Sequence, residues 1–187
     1  MKQFKIVAVL SFIVLCIAVI AYGVFYQDSP EEPGDAKQDW QYDKVPNLIL
    51  TDIRGEKITV GKLEGKVIIL NFWATWCEPC RKEFPSMLKL AHASGDKLVL
   101  LTISNDDTKQ ELLNFLKTFN KDYSKELASP NLHIVWDSEQ QIASEMFNVF
   151  KFPESIIIDK NLNMIRKIAG GVDWESGEIK AYLNSLF

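Results

Sequence analysis

Two uninterrupted apolar runs constrain this chain most: KVIILNFW at residues 66–73 and KLVLLTIS at residues 97–104. Neither alternates apolar with polar residues, so each suits a strand covered on both faces. Between them Phe84, Met87, Leu88 and Ala91 recur at helical spacing, with Gly95 as a stop. Upstream, NLILTDIRGEKITV alternates around Arg54-Gly55 and predicts a β-hairpin. Downstream, Leu112, Leu113, Leu116 and Phe119 mark a second helix, with Asp107 and Gln110 at capping-box spacing before it. Residues 120–132 read as a polar excursion, and HIVWD as a brief strand. A capping-box spacing from Ser138 to Gln141 opens the predicted helix EQQIASEMFNVF. SIIID (155–159) and MIRKIAGG (164–171) form two strands joined through Lys160–Asn163, and a last helix starts near Trp174. The expectation is an α/β domain over residues 43–187: one mixed central sheet, helices on both faces, and an added N-terminal hairpin.

The residues before that domain have a different character. Lys2 and Lys5 precede an uncharged run from Ile6 to Tyr26. As a helix it spans roughly 30 Å, the thickness of a bilayer's hydrocarbon core. Asp28, Glu31, Glu32 and Asp35 follow it, so the positive-inside rule places the remainder outside the cytoplasm. Residues 1–26 therefore read as a single-pass signal-anchor in a bacterial cytoplasmic membrane, with a cleaved signal peptide as the rival reading. Cys16 lies within the run and reads as a small apolar residue in lipid. Residues 27–42, with two prolines and little apolar content, read as a flexible acidic linker.

Charge narrows the function classes. With Lys2 and Lys5 set aside, 19 of the 21 basic residues face 25 acidic ones, a balance of −6 for the exported part. There is no basic stripe interleaved with aromatics, so nucleic acid is disfavoured as a partner.

The chemistry-bearing element is NFWATWCEPCRKEF, residues 71–84, where Cys77 and Cys80 stand three apart. A disulfide between them closes a tiny loop and restrains little of the unfolded chain, so a purely structural staple is a weak reading. Zinc would have only His92 and His133 as further ligands, at a spacing that matches no compact module. A redox couple fits the pattern better. Cys77 lies where a strand hands over to a helix, whose unpaired N–H groups and positive end favour a thiolate. Cys80, at i+3, is on the same face and placed to resolve a mixed disulfide. Pro79 suits the first helical turn, where no N–H is needed. This reading asks for an exposed Cys77 thiolate and a shielded Cys80.

FWATWCEPCRKEFP resembles the active-site segment of the thioredoxin superfamily, including Trp76 before the first cysteine and Pro85 five residues past the second, where the helix bends. The resemblance is closest to the membrane-anchored, extracytoplasmic TlpA/ResA/CcmG-like branch. It covers about residue 43 to the end: Asn71 stands where cytoplasmic thioredoxins carry a buried Asp, and Glu83 matches an acidic residue of the branch. NVFKFPESIIID resembles the family's cis-proline loop, which implies a cis bond at Phe152-Pro153, lying against Cys77 and offering main-chain groups to an extended substrate. Phe152 departs from the small residue usual there. Glu154 resembles the acidic residue of the cytochrome c maturation members.

The resemblance implies a thiol:disulfide oxidoreductase with no cofactor beyond the Cys77–Cys80 disulfide. Its substrates would be exported protein disulfides, with apocytochrome c as one example, and its electrons would come from a CcdA/DsbD-type membrane protein. The expected state is a monomer. Electrostatics sets the direction: Glu78, Glu83 and Glu154 near the sulfur would disfavour a thiolate and put the couple on the reducing side. Glu83 is expected to trade protons with Cys80. A general oxidant or isomerase, and a redox-inactive binding module, stand as alternatives. A peroxidase would want a Pro-x-x-x-Thr-x-x-Cys setting, which is absent.

Overall fold

The computed structural model describes residues 44–187. The anchor and linker expected at 1–26 and 27–42 lie outside the described residues. Among the described residues no helix is long and apolar enough to cross a membrane.

The two apolar runs form β3 (Val67–Trp73) and β4 (Leu98–Ser104), every residue of which is buried. They pair in parallel, Val67 opposite Leu98 and Trp73 opposite Ser104. The crossover between them is helix α1 (Glu78–Ser94). Outside β4 lies β5 (Leu132–Trp136), also parallel. On the other side of β3, β6 (Glu154–Ile158) and β7 (Met164–Ala169) add antiparallel, giving the order β5-β4-β3-β6-β7. The strand that leads into the cysteines is thus the central one. Like β4, it is buried along its whole length, as its unbroken apolar sequence requires.

The hairpin is β1 (Ile49–Thr51) and β2 (Lys57–Thr59), turning where Gly55 takes φ 86°, a conformation that favours glycine. It forms its own two-stranded sheet rather than joining the central one. Leu48, Leu50, Ile58 and Val60 bury against Ile68, Leu70, Ile103, Ile156 and Ile158 on one sheet face.

Helices stand on both faces of the sheet, as expected, but unequally. The three longest helices, α1, α2 (Lys109–Phe119) and α4 (Gly177–Leu186), all send their buried residues into one cluster with Val67, Ile69, Trp73, Leu98 and Ile157. α3 (Ser124–Leu127) is a single turn. The second face is covered by the hairpin and by a six-residue π-helical segment, Gln141–Met146, which contributes Ala143. An apolar stripe states that a helix packs on something, not on which face.

Three boundaries also moved. The capping box before α2 is Thr108 with Glu111, one residue later than Asp107 and Gln110. The segment expected as a helix at 139–150 is the short π-helix, because the Asp137 carboxylate accepts from both Ile142 N and Ala143 N, at 3.0 Å each, and Gln140 is left-handed. The last helix starts at Gly177 behind the Ser176 cap, and Trp174 instead lies fully buried in the preceding loop.

Candidate active site

β3 ends at Trp73, and a four-residue turn delivers Cys77 to the N-cap of α1. Cys77 Sγ accepts from the Cys80 N–H at 3.4 Å, so the sulfur occupies the place where the helix presents unpaired donors. Cys77 and Cys80 are joined in a disulfide. Pro79 stands in the first turn, as its missing N–H predicts. Cys77 is only 5% exposed and Cys80 1%. The expectation of an exposed Cys77 is therefore corrected for the oxidised form: its sulfur is covered by the fold, and what stands exposed beside it is Trp76, at 62%.

The opposite wall is the loop before β6. The Phe152-Pro153 peptide bond is cis and Pro153 is buried. The Phe152 ring meets Trp76 edge-on, with centroids 6.0 Å apart, and packs on the cluster that contains both cysteines. Phe150 (71% exposed) and Met146 are exposed on the chain leading into this loop. Pro153 O accepts from Gly170 N at 2.9 Å, and Gly171 lies against Pro79, a Cβ placed on it coming within 3.4 Å of both Pro79 Cβ and Pro79 O. The cis-proline loop, the Gly170-Gly171 corner and the first turn of α1 are thus packed in series.

Glu83 lies one turn beyond Cys80 and is buried. Its Oε1 accepts from Asn71 Nδ2 at 3.1 Å, and its Oε2 from Val172 N at 3.0 Å. Burial pushes the carboxyl above its ordinary range, and these two hydrogen bonds only partly offset it. The Trp174 indole N–H also draws the carboxyl down, but it falls outside hydrogen-bond geometry and is left unpaired. The segment after β7 is clamped along this helix face, with Trp174 N donating to Ser86 Oγ at 3.2 Å and Lys89 meeting Glu175 at 3.3 Å.

The other two carboxylates behave differently. Glu78 is exposed and pairs with Lys82 at 2.8 Å, one turn on, and the bond from Lys82 holds its carboxyl below the usual range. Glu154 is largely buried and meets Lys167 Nζ at 2.5 Å, an ion pair whose angles fall outside hydrogen-bond geometry. Each therefore has a cation at hand, a feature that the count of acidic neighbours in the sequence does not contain. Among the described residues, Glu83 alone of the three is held without one.

A second group of titratable side chains lies outside this site. Ligand atoms of Asp52, Glu56 and His133 come within 4.8 Å of one another. Arg54 sits among them, its Nε 2.8 Å from Asp52 Oδ2 and its Nη2 3.4 Å from His133 Nδ1. A guanidinium in that position fills the space a cation would take, so the group is an ion-pair knot that ties the hairpin turn to β5. His133, which reads as an ordinary polar residue in sequence, is part of that knot.

The sequence model of the AhpC/TSA family matches residues 42–167. The chain belongs to this family. Its fold is the thioredoxin-like one expected from the WCxxC and cis-proline segments, and it is a thiol-disulfide oxidoreductase. It is 31% identical over 182 residues to the thiol-disulfide oxidoreductase ResA of Bacillus cereus, covering 95% of this chain and 94% of that one. A thiol:disulfide interchange protein of the thioredoxin family from Chlorobium tepidum shares the fold at a TM-score of 0.60 and 22% identity, over 76% of this chain and 97% of that chain. The exposed lipoprotein thioredoxin Etrx1 of Streptococcus pneumoniae does so at 0.57 and 26%, over 74% and 98%.

Proposed function

We propose that this protein is a membrane-tethered, extracytoplasmic reductant of disulfides in exported proteins, with Cys77 as nucleophile, Cys80 as resolving thiol and Glu83 as their proton acceptor. In the dithiol form, the Cys77 thiolate attacks one sulfur of a substrate disulfide. An S–S bond to Cys77 forms and one substrate thiolate leaves. Cys80 then loses its proton toward Glu83 and attacks Cys77 Sγ, and the second substrate thiolate leaves. Two electrons pass to substrate and the Cys77–Cys80 disulfide forms, with no separate cofactor.

The observation that carries this reading is the placement of Glu83, buried one helical turn past Cys80 with a raised pKa. Raising the carboxyl's pKa above its ordinary range brings it closer to that of a thiol, which suits it to exchanging a proton with one. It also adds no fixed cation to stabilise a thiolate, which favours the reducing direction. Trp76 and the Phe152 ring supply an apolar rim, the Phe152 main chain beside cis-Pro153 offers hydrogen-bonding groups to an extended substrate, and Pro79 shapes the first turn. Glu78 and Glu154 tune the charge at its edge. The membrane anchor proposed for residues 1–26, the linker proposed for 27–42 and the proposed single-pass topology rest on the sequence pattern alone. Apocytochrome c is the proposed substrate, and a CcdA/DsbD-type membrane protein the proposed donor.

The test is trapping with Cys80→Ser, which stops the reaction at the mixed disulfide on Cys77. Recovery of apocytochrome c supports the maturation role, whereas a broad set of unrelated exported proteins defeats it. A measured potential near about −120 mV, that of a strong oxidant, overturns the direction.

A further inference from the structure

Asp106 has no role in the reading above, yet its carboxylate is 1% exposed and aimed at the turn that carries the nucleophile. Its Oδ1 accepts two hydrogen bonds from one residue, Thr75 N at 2.8 Å and Thr75 Oγ1 at 2.7 Å. Its Oδ2 accepts from Ser104 Oγ at 2.7 Å, and its carbonyl accepts from Trp136 Nε1 at 2.9 Å. The neighbouring Asn105 N donates to Trp73 O at 2.8 Å. The exit of β4 therefore grips the exit of β3 at two successive points, Trp73 and Thr75. Among the described residues Asp106 makes no ion pair, so hydrogen bonds alone compensate its burial, and their geometry is correspondingly constrained.

The grip bears on the chemistry through the next two residues. Cys77 N donates to Ala74 O at 3.2 Å, closing the turn that Thr75 sits in, and Trp76 projects from the same turn onto Phe152. Thiol–disulfide exchange requires the attacking sulfur in line with the S–S bond it breaks, and near-attack alignment accounts for a large share of such rates. A turn free to pivot at Thr75 would misalign Cys77 Sγ and Trp76 together.

We propose that Asp106 is a positioning residue, which fixes the Thr75 turn so that Cys77 and Trp76 face an incoming disulfide in one orientation. The proposal rests on Cys77 being the nucleophile. Asp106 touches no reacting atom and acts through Thr75.

The test compares Thr75→Val, Thr75→Ser and Asp106→Ala in the full chain, with Cys77→Ser as control. Reduction of a peptide containing one intramolecular disulfide is followed by stopped flow. Thr75→Val and Asp106→Ala each slow exchange about tenfold, the consequence of loosening the part-buried hydrogen bonds that hold the turn. Thr75→Ser, which keeps both donors, stays within twofold of wild type. The double variant Thr75→Val/Asp106→Ala is no slower than Asp106→Ala, because the two act as one unit. In a Cys80→Ser background, iodoacetamide alkylation of Cys77 at high pH, where the small free reagent sets its own angle of approach, changes by less than twofold. The proposal is overturned by wild-type exchange in Thr75→Val, by losses that multiply in the double variant, or by alkylation slowing in parallel. Thr75 is only half-buried, so Thr75→Val decides the question even where Asp106→Ala does not fold. Retained exchange in Cys77→Ser would instead defeat the assignment of the nucleophile.

Discussion

Asn71 Nδ2 donates to Glu83 Oε1 at 3.1 Å across the interface between the central strand and the active-site helix. The same nitrogen donates to Ser155 Oγ at 2.9 Å on the adjacent strand, directly opposite in register. One amide therefore ties the proposed proton acceptor to the strand that begins just after Pro153. An aspartate at position 71 would set two carboxyls against each other with no shared donor, whereas Asn71 supplies a donor and no charge.

Glu83 makes stability depend on pH with a definite sign. Its folded pKa lies above the ordinary value of 4.5. The folded state then holds a proton that the unfolded chain releases, so this contribution is fully present below pH 4.5 and is lost as pH rises through the folded pKa. Urea unfolding of Glu83→Gln should lack that component. A stability difference between the two proteins that is the same at pH 4 and pH 8 would contradict it.

His133 works in the opposite direction. Burial is the largest influence on it and pulls its pKa below the ordinary 6.5; Glu56 opposes that and Arg54 adds to it. Its contribution is present above pH 6.5 and is lost as pH falls from there through the folded pKa. Replacing His133 with Gln should flatten the stability profile in that window, seen by thermal melts between pH 5 and 7. The disulfide chemistry should be unaffected.

The two lysine–glutamate pairs near the cysteines should differ in importance by their burial. The Lys82–Glu78 pair is mostly exposed, and Lys82→Met should change stability by less than about 0.5 kcal/mol. The Lys167–Glu154 pair is largely buried, and Lys167→Met leaves a carboxylate without its cation, at a cost of about 3 kcal/mol. Equal effects from the two substitutions would refute this ranking.

Trp76 should matter to exchange and hardly at all to folding. At 62% exposure, Trp76→Ala should alter stability by about 0.5 kcal/mol or less. Exchange with a peptide disulfide should slow through a raised KM, since the aromatic rim with Phe152 is lost. A changed kcat with an unaltered KM would place Trp76 in the chemistry rather than in docking.

How far the sequence reaches can be seen residue by residue. The unbroken apolar runs specified β3 and β4 because a strand covered on both faces admits no polar period, and the boundaries came within a residue. The pairing of Cys77 with Cys80 and the place of Pro79 were legible from local spacing, and the cis bond before Pro153 from the resemblance of its segment to the family's loop. The helix after β5 was misread, because Asp137, five residues before Ile142, captures its N–H groups, and a periodicity pattern holds no term for such a side chain.

What the tertiary structure alone decided is which charges near the cysteines are compensated. Glu78, Glu83 and Glu154 look alike in sequence. Folding gives the first an exposed lysine, the third a buried one, and the second only hydrogen-bond donors from Asn71 and Val172. Asp106 likewise becomes visible only when β4 lies beside β3 and brings Thr75 within 2.8 Å of its carboxylate. Covalent order determines which residues can form a strand, a turn or a CxxC pair. The pKa of a carboxyl and the grip on a turn depend on burial and on partners tens of residues away, which only the packed fold brings together.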